Sequence, residues 1–76
     1  MKIISLNKLQ LNKSGKIDSI SCEENIKRRL LDLGIVRGTQ IQAILNSPLG
    51  GINAYWVRGT TIAIRDENAK KINIII

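Results

Sequence analysis

The 76-residue sequence has no histidine and no phenylalanine, one cysteine (Cys22), one proline (Pro48), and two aromatics, Tyr55 and Trp56. Each shortage excludes something. Without an imidazole, neither a Ser-His-Asp nor a Cys-His relay can be assembled, and the common zinc sites lose one of their two usual ligand types. A single cysteine cannot build an internal disulfide framework, so nothing asks for an oxidising compartment. Long apolar runs are missing too. Ile3-Ile4 behind Lys2 is too short for the apolar core of a secretory signal. The longest uncharged stretch, Thr39–Val57, holds Gln40, Gln42, Asn46, Pro48, Gly50, Gly51 and Asn53, which disqualifies it as a spanning helix. The expectation is a soluble, reduced, cytoplasmic protein.

Twelve Lys and Arg against six Asp and Glu leave a net charge of +6. A 43% apolar fraction with 24% charged residues indicates a folded globule and not a basic disordered tail. The length implies one domain over residues 1–76, burying only about 60% of the surface its unfolded chain exposes. Isoleucine dominates with fifteen copies, and β-branched residues favour strands. Gly15, Gly34, Gly38, the cluster Pro48-Leu49-Gly50-Gly51 and Gly59 punctuate short segments at 16–21, 39–46, 52–58, 60–65 and 72–76. Five short strands at this spacing predict a small barrel or sandwich.

One helix is marked, over about residues 22–33. Ser21-Cys22-Glu23-Glu24 fits a capping box with Ser21 as N-cap, Ile26, Leu30 and Leu33 form one apolar stripe, and Gly34 follows as a C′ residue. Strand faces follow from alternation. A water-facing Arg58 turns Val57 and Tyr55 inward and leaves Trp56 on the outer face. Ile62 and Ile64 share the opposite face from Ala63 and Arg65. The closing Ile74-Ile75-Ile76, without charge or proline, would be an aggregation hazard if unpaired, so it must complete a sheet. The Arg58-Gly59-Thr60 step suits a very short antiparallel connection, and Gly38 and Gly59 suit turns at positive φ.

These residues resemble a known family. Arg29-Leu30-Leu31-Asp32-Leu33-Gly34-Ile35 followed by Gly38-Thr39-Gln40-Ile41 is similar to the "RLxxLGhxxGxxh" signature of FeoA-type proteins. Ser47-Pro48-Leu49-Gly50-Gly51 resembles their Pro-x-Gly hairpin, Val57–Arg65 their "VRGxxhALR" strand pair, and Ala69-Lys70-Lys71-Ile72 their closing "AxxI" step. Arg37 stands where many members have Pro, and Leu9–Lys13 is longer than their usual turn. The resemblance implies an SH3-like β-barrel with an inserted helix. It also implies a cytoplasmic accessory of the FeoB ferrous iron transporter, acting through protein contacts and peripheral at the inner face of the plasma membrane through that partner.

No catalytic, cofactor-binding or metal-binding residues are expected. There is no nucleophile–base pair and no phosphate-binding glycine motif. A ferrous site draws on imidazole, carboxylate or thiolate, and the one adjacent carboxylate pair, Glu23-Glu24, is accounted for by the helix N-terminus. Cys22 is expected to pack as a small apolar group, the alternative being a thiol activated by the helix dipole. Lys27-Arg28-Arg29 spreads around a solvated helix surface. Leu31 falls off the apolar stripe, so either another element covers it or a partner does. Trp56 beside Arg58 has the composition of a binding patch, against the alternative of a Trp half-buried on the helix or the N-terminal arm. With Leu49 at the hairpin tip, Leu31, Trp56 and Arg58 are the candidate partner-contacting residues.

The alternative function is a basic nucleic-acid-binding barrel of SH3 or KOW type. It rests on net charge and fold analogy, and specific nucleic-acid binding is not expected, because Tyr55 and Trp56 point to opposite faces of a strand. A regulatory barrel of a metal-dependent repressor would need a DNA-binding helical domain that this sequence does not carry. Weak homo-oligomerisation through the uncharged hairpin is a further expectation.

Overall fold

Strands form where branched side chains alternate, and one more segment qualifies than the sequence pattern predicts. The structure, a computed structural model, describes residues 1–47 and 49–76. Pro48, expected to set the hairpin tip, lies outside the described residues. Six strands make one antiparallel sheet: β1 (Ile3–Ser5), β2 (Ser14–Ile20), β3 (Gln40–Leu45), β4 (Ile52–Val57), β5 (Thr60–Arg65) and β6 (Ile72–Ile75). Their order is β1-β6-β2-β3-β4-β5. The extra strand, β1, is three residues long, too short to display alternation. It exists because β6 supplies its partner, with Ile3 opposite Ile75 and Ser5 opposite Asn73. The C-terminal strand pairs on both sides, with β1 and with β2. Ile72 and Ile74 are fully buried. The barrel is open, since β1 and β5 are sheet edges.

The sheet nevertheless curls on itself. In a flat sheet, four strand spacings, about 19 Å, would separate β1 from β4. Here the Tyr55 hydroxyl on β4 donates to the carbonyl of Leu6, the residue after β1, at 3.5 Å. Inside the curl a single apolar cluster contains Leu6, Ile17, Ile41, Tyr55, Val57, Ile62, Ile64, Ile72 and Ile74. Alternation is therefore correct for β4 and β5, with Tyr55 and Val57 inward and Ala63 and Arg65 outward. Gly15 permits the tightest approach in the curl. A Cβ there would meet the Ile75 carbonyl oxygen and the side chains of Ile74 and Ile76, all at 3.0 Å.

The helix α1 spans Glu24–Asp32, shorter than expected at its start. The capping box does not form: the N-cap is Glu23, with no side-chain cap bond. Ser21 is held back because its N–H donates to the Lys71 carbonyl at 2.7 Å, extending the β2–β6 pairing past the end of the strand. The C-terminus matches the sequence reading. Gly34 has φ +85, Ile35 N–H donates to Leu30 O and Gly34 N–H to Leu31 O, both at 2.9 Å, which is a Schellman motif. Ile35 then packs in the core with Leu30, while Leu33, expected on the buried stripe, is 44% exposed. The C″ residue has taken the core position that the periodicity assigned to Leu33. A second helix, α2 (Asp66–Ala69), is a single turn that buries Ala69, and a 3-10 turn (Leu6–Lys8) buries Leu6.

One buried polar network crosses the sheet. Asn53, almost fully buried, accepts from the Ser47 N–H (2.9 Å) and donates to the Tyr55 hydroxyl (3.3 Å) and to Asp66 Oδ1 (3.4 Å). It ties the start of the β3–β4 connection to α2 and, through Tyr55, to the 3-10 turn. Burial raises the Tyr55 phenol above its ordinary value of 10.0, the Asn53 bond opposes the rise, and the nearby Asp66 charge adds to it.

Two outcomes follow from these contacts. Gly34→Ala places a Cβ at positive φ and 3.1 Å from Arg58 Cδ. It should cost about 1–2 kcal/mol and lower the thermal midpoint by roughly 4–8 °C per kcal/mol in a domain of this size. Because the Tyr55 phenol is raised in the folded state, its contribution to stability is intact below about pH 10 and is lost as pH rises through the folded value. Urea midpoints measured across this range should fall at alkaline pH, and Tyr55→Phe should flatten that fall.

Candidate functional site

The hairpin joining β4 to β5 turns on Arg58 and Gly59 alone, both at positive φ (50 and 81), as a type I′ connection requires. Arg58 thereby reaches across to α1. A Cβ on Gly34 would meet Arg58 Cδ at 3.1 Å and Nε at 3.3 Å, so the Arg side chain lies over the bare glycine. Its cation sits beside the carbonyl end of α1, where a positive charge complements the helix dipole. Glycine at position 34 thus serves twice, giving the helix its stop and the arginine its seat.

Between α1, β5 and α2 runs an open groove of about 670 Å³. Ile26 and Leu33 line its helical wall, Thr61, Ala63 and Arg65 its strand wall, and Ile52 lies at its edge. The strand wall is a sheet edge. With Val57 and Thr60 closing a two-residue hairpin, Thr61, Ala63 and Arg65 fall at the positions whose backbone N–H and C=O point away from β4. Among the described residues, no other strand pairs with that edge. The groove therefore offers unpaired main-chain donors and acceptors beside apolar side chains, with Arg29, Arg65 and Lys71 against Glu23 and Glu67 as charged lining.

The four sequence-marked residues occupy separate places around this groove, and none of them lines it. Leu31 projects from α1, 58% exposed, and Trp56 from the outer face of β4, 45% exposed and opposite Gln42 and Thr61. Leu49 is 95% exposed in the β3–β4 connection. It and Arg58 lie beyond opposite ends of β4, a strand of 6 residues and so about 20 Å long. The groove's own apolar residues, Leu33 and Ile52, were legible in part. Turning Tyr55 inward forces Ile52 outward and Asn53 inward by the same alternation. For Leu33 the helical stripe gave the opposite sign.

Cys22 sits at the head of α1, partly buried against the core, with its thiol donating to the Asn68 carbonyl at 3.5 Å. Burial raises its pKa, and the Lys71 charge opposes this only in part. It behaves as an apolar packing residue and not as a dipole-activated thiol. Among the described residues no three His, Cys, Asp or Glu side chains cluster in a way that could hold a metal ion, and no helix is long and apolar enough to cross a membrane.

The family model for the FeoA domain matches residues 4–75. The chain belongs to the FeoA family. Among solved structures, a FeoA-like protein from Clostridium acetobutylicum is 33% identical over all of this chain and 88% of that one, with a TM-score of 0.84. FeoA from Stenotrophomonas maltophilia, complexed with zinc, is 28% identical over 93% of this chain and 88% of that one, with a TM-score of 0.80. It is described as a prokaryotic SH3-domain protein and as a candidate ferrous iron transport activating factor. A manganese-dependent transcriptional repressor complexed with manganese contains the same fold: TM-score 0.89 over 99% of this chain but 37% of the repressor, at 15% identity. No curated protein matches the chain. The fold of this FeoA-family protein is thus SH3-like, with six strands in place of the expected five.

A raised thiol pKa sets one outcome. Alkylation of Cys22 by iodoacetamide in the folded protein should be slower than in the urea-unfolded chain, with a rate–pH midpoint above 9.0.

Proposed function

We propose that this FeoA-family protein is a non-catalytic accessory of a FeoB-type ferrous iron transporter, engaging it from the cytoplasm through protein contacts. Family membership supports the transport setting, and the relative from Stenotrophomonas maltophilia carries the description of an activating factor. The observation that carries the contact mode is the groove between α1 and β5. An extended partner segment laid along Thr61–Arg65 would gain main-chain hydrogen bonds from the free edge, with alternate side chains resting on Leu33 and Ile52. Trp56, the cross-strand neighbour of Thr61, extends the apolar surface beyond the strand wall, Leu31 is a separate exposed apolar side chain on α1, and Arg58 is a cation seated on Gly34. Iron is the transporter's cargo in this reading and needs no ligand set on the accessory.

The nucleic-acid alternative has less support. Tyr55 is fully buried, which leaves Trp56 as the one exposed aromatic among the described residues, and single-strand binding platforms stack bases on several.

Co-purification of the tagged protein with its cognate transporter from solubilised membranes tests the proposal. Retention is expected, and Leu33→Asp should reduce it about tenfold or more, as loss of an interface hot spot does. Leu31→Ala and Trp56→Ala should each weaken it about three- to tenfold, with folding checked by circular dichroism. Absence of retention in every nucleotide state would reject the partnership. Retention unaffected by all three substitutions would reject the surface.

A further inference from the structure

A second cleft lies away from the groove, where the N-terminal segment meets the end of the sheet. It measures about 460 Å³ and is lined by Lys2, Lys8 and Lys13 around Ile4, Leu9 and Ile76. Four lysines and no carboxylate occur in the first seventeen residues, and the first acid in the chain is Asp18. Among the described residues none of these lysines forms an ion pair; the salt bridge present joins Lys70 to Asp66. No side-chain carboxylate lines the cleft, so its three lysines stand around an apolar floor without a paired acidic side chain.

Beside it an apolar side chain is held outward. Leu11 is half-exposed in a tight turn closed by the Lys13 N–H donating to the Gln10 carbonyl at 3.0 Å. That turn is pinned to β3: Asn12, at φ 67, donates its N–H to Ala43 O at 2.7 Å, and Gln42 Nε2 donates to Asn12 O at 3.2 Å. Folding thus spends backbone and side-chain bonds to present a leucine to solvent between Lys8 and Lys13. Met1 is fully exposed and Ile76 half-exposed on the same end of the sheet.

We propose that this lysine-rimmed end is a direct contact site for an anionic lipid bilayer. Apolar tips flanked by lysines match the layering of an interface, with Leu11 and Met1 entering below the headgroups while the lysine stems lie along apolar surface and their ammonium groups meet lipid phosphates. The charge of the lysines complements the negative surface potential of anionic leaflets. No aromatic lies in the cleft to stack a base. The site stands independently of the transporter reading, because bare vesicles contain no transporter.

Sedimentation with vesicles of phosphatidylcholine containing about 40 mol % phosphatidylglycerol tests it against pure phosphatidylcholine vesicles. Binding is expected on the anionic vesicles alone, weakening as salt rises from about 0.1 to 0.5 M. The triple variant Lys2→Gln, Lys8→Gln, Lys13→Gln should lose about tenfold or more in partition coefficient, and Leu11→Ser about threefold, with unchanged circular dichroism. A control of equal charge loss, Lys27→Gln, Arg28→Gln, Arg37→Gln, should stay within about twofold of the unmodified protein. Equal losses in both triple variants would show attraction by net charge alone and overturn the site. So would absence of vesicle binding, including the case in which a single-stranded RNA is bound instead.

Discussion

The structure depends on the insertion of β6 between β1 and β2. That pairing joins Ile3 to Ile75 and Ile17 to Ile74, so the two ends of the chain meet in the middle of the sheet's first half. It buries Ile72 and Ile74 and gives β1 its strand partner. Gly15 lets β2 and β6 approach as closely as this needs, since any Cβ there would press on the Ile75 carbonyl. Pairing of such long sequence separation goes with slower folding than local contacts do, because the loop must close before the pairing rewards it.

At the other end of the order, among the described residues, the β5 edge has no strand partner. β5 ends the order with α1 standing beside it, and the groove is the space between them. The helix is held there by its C-terminal end. The Schellman motif redirects the chain at Gly34, Ile35 enters the core, and Arg58 closes over the glycine from the neighbouring hairpin. The same displacement that puts Ile35 in the core leaves Leu33 in the groove. Exposure of an apolar residue here is thus a consequence of how the helix stops.

Charge is distributed to match. The stretch from Thr39 to Val57 carries none, so on the outer face of β4 Ile52, Ala54 and Trp56 stand without charges of their own strand, with Arg65 of β5 opposite Ile52. The N-terminal end collects lysines without acidic side chains. Four of the twelve cations precede the first acid, Asp18.

Much of this was legible in the chain. Alternation placed Tyr55, Val57, Ile62 and Ile64 inward and Trp56 outward, because a strand's side-chain period is two whatever it packs against. Glycine 34, 38 and 59 marked positive φ, because only the absence of Cβ makes that backbone cheap. The sequence by itself thus determined local geometry and, through its spaced motifs, the family. Three things were decided only by the tertiary structure. Ser21 fits a capping box, yet its N–H is claimed by Lys71, fifty residues away in sequence. Ile3–Ser5 becomes a strand only because β6 arrives beside it. Leu33 leaves the core because Ile35 fills it. At Ser21 a local capping preference worth about 1 kcal/mol was outweighed by a backbone partner fifty residues away, at Ile3–Ser5 a distant strand supplied the pairing, and at Leu33 the turn that stops the helix brought Ile35 into the core instead; no local pattern records which of these will happen.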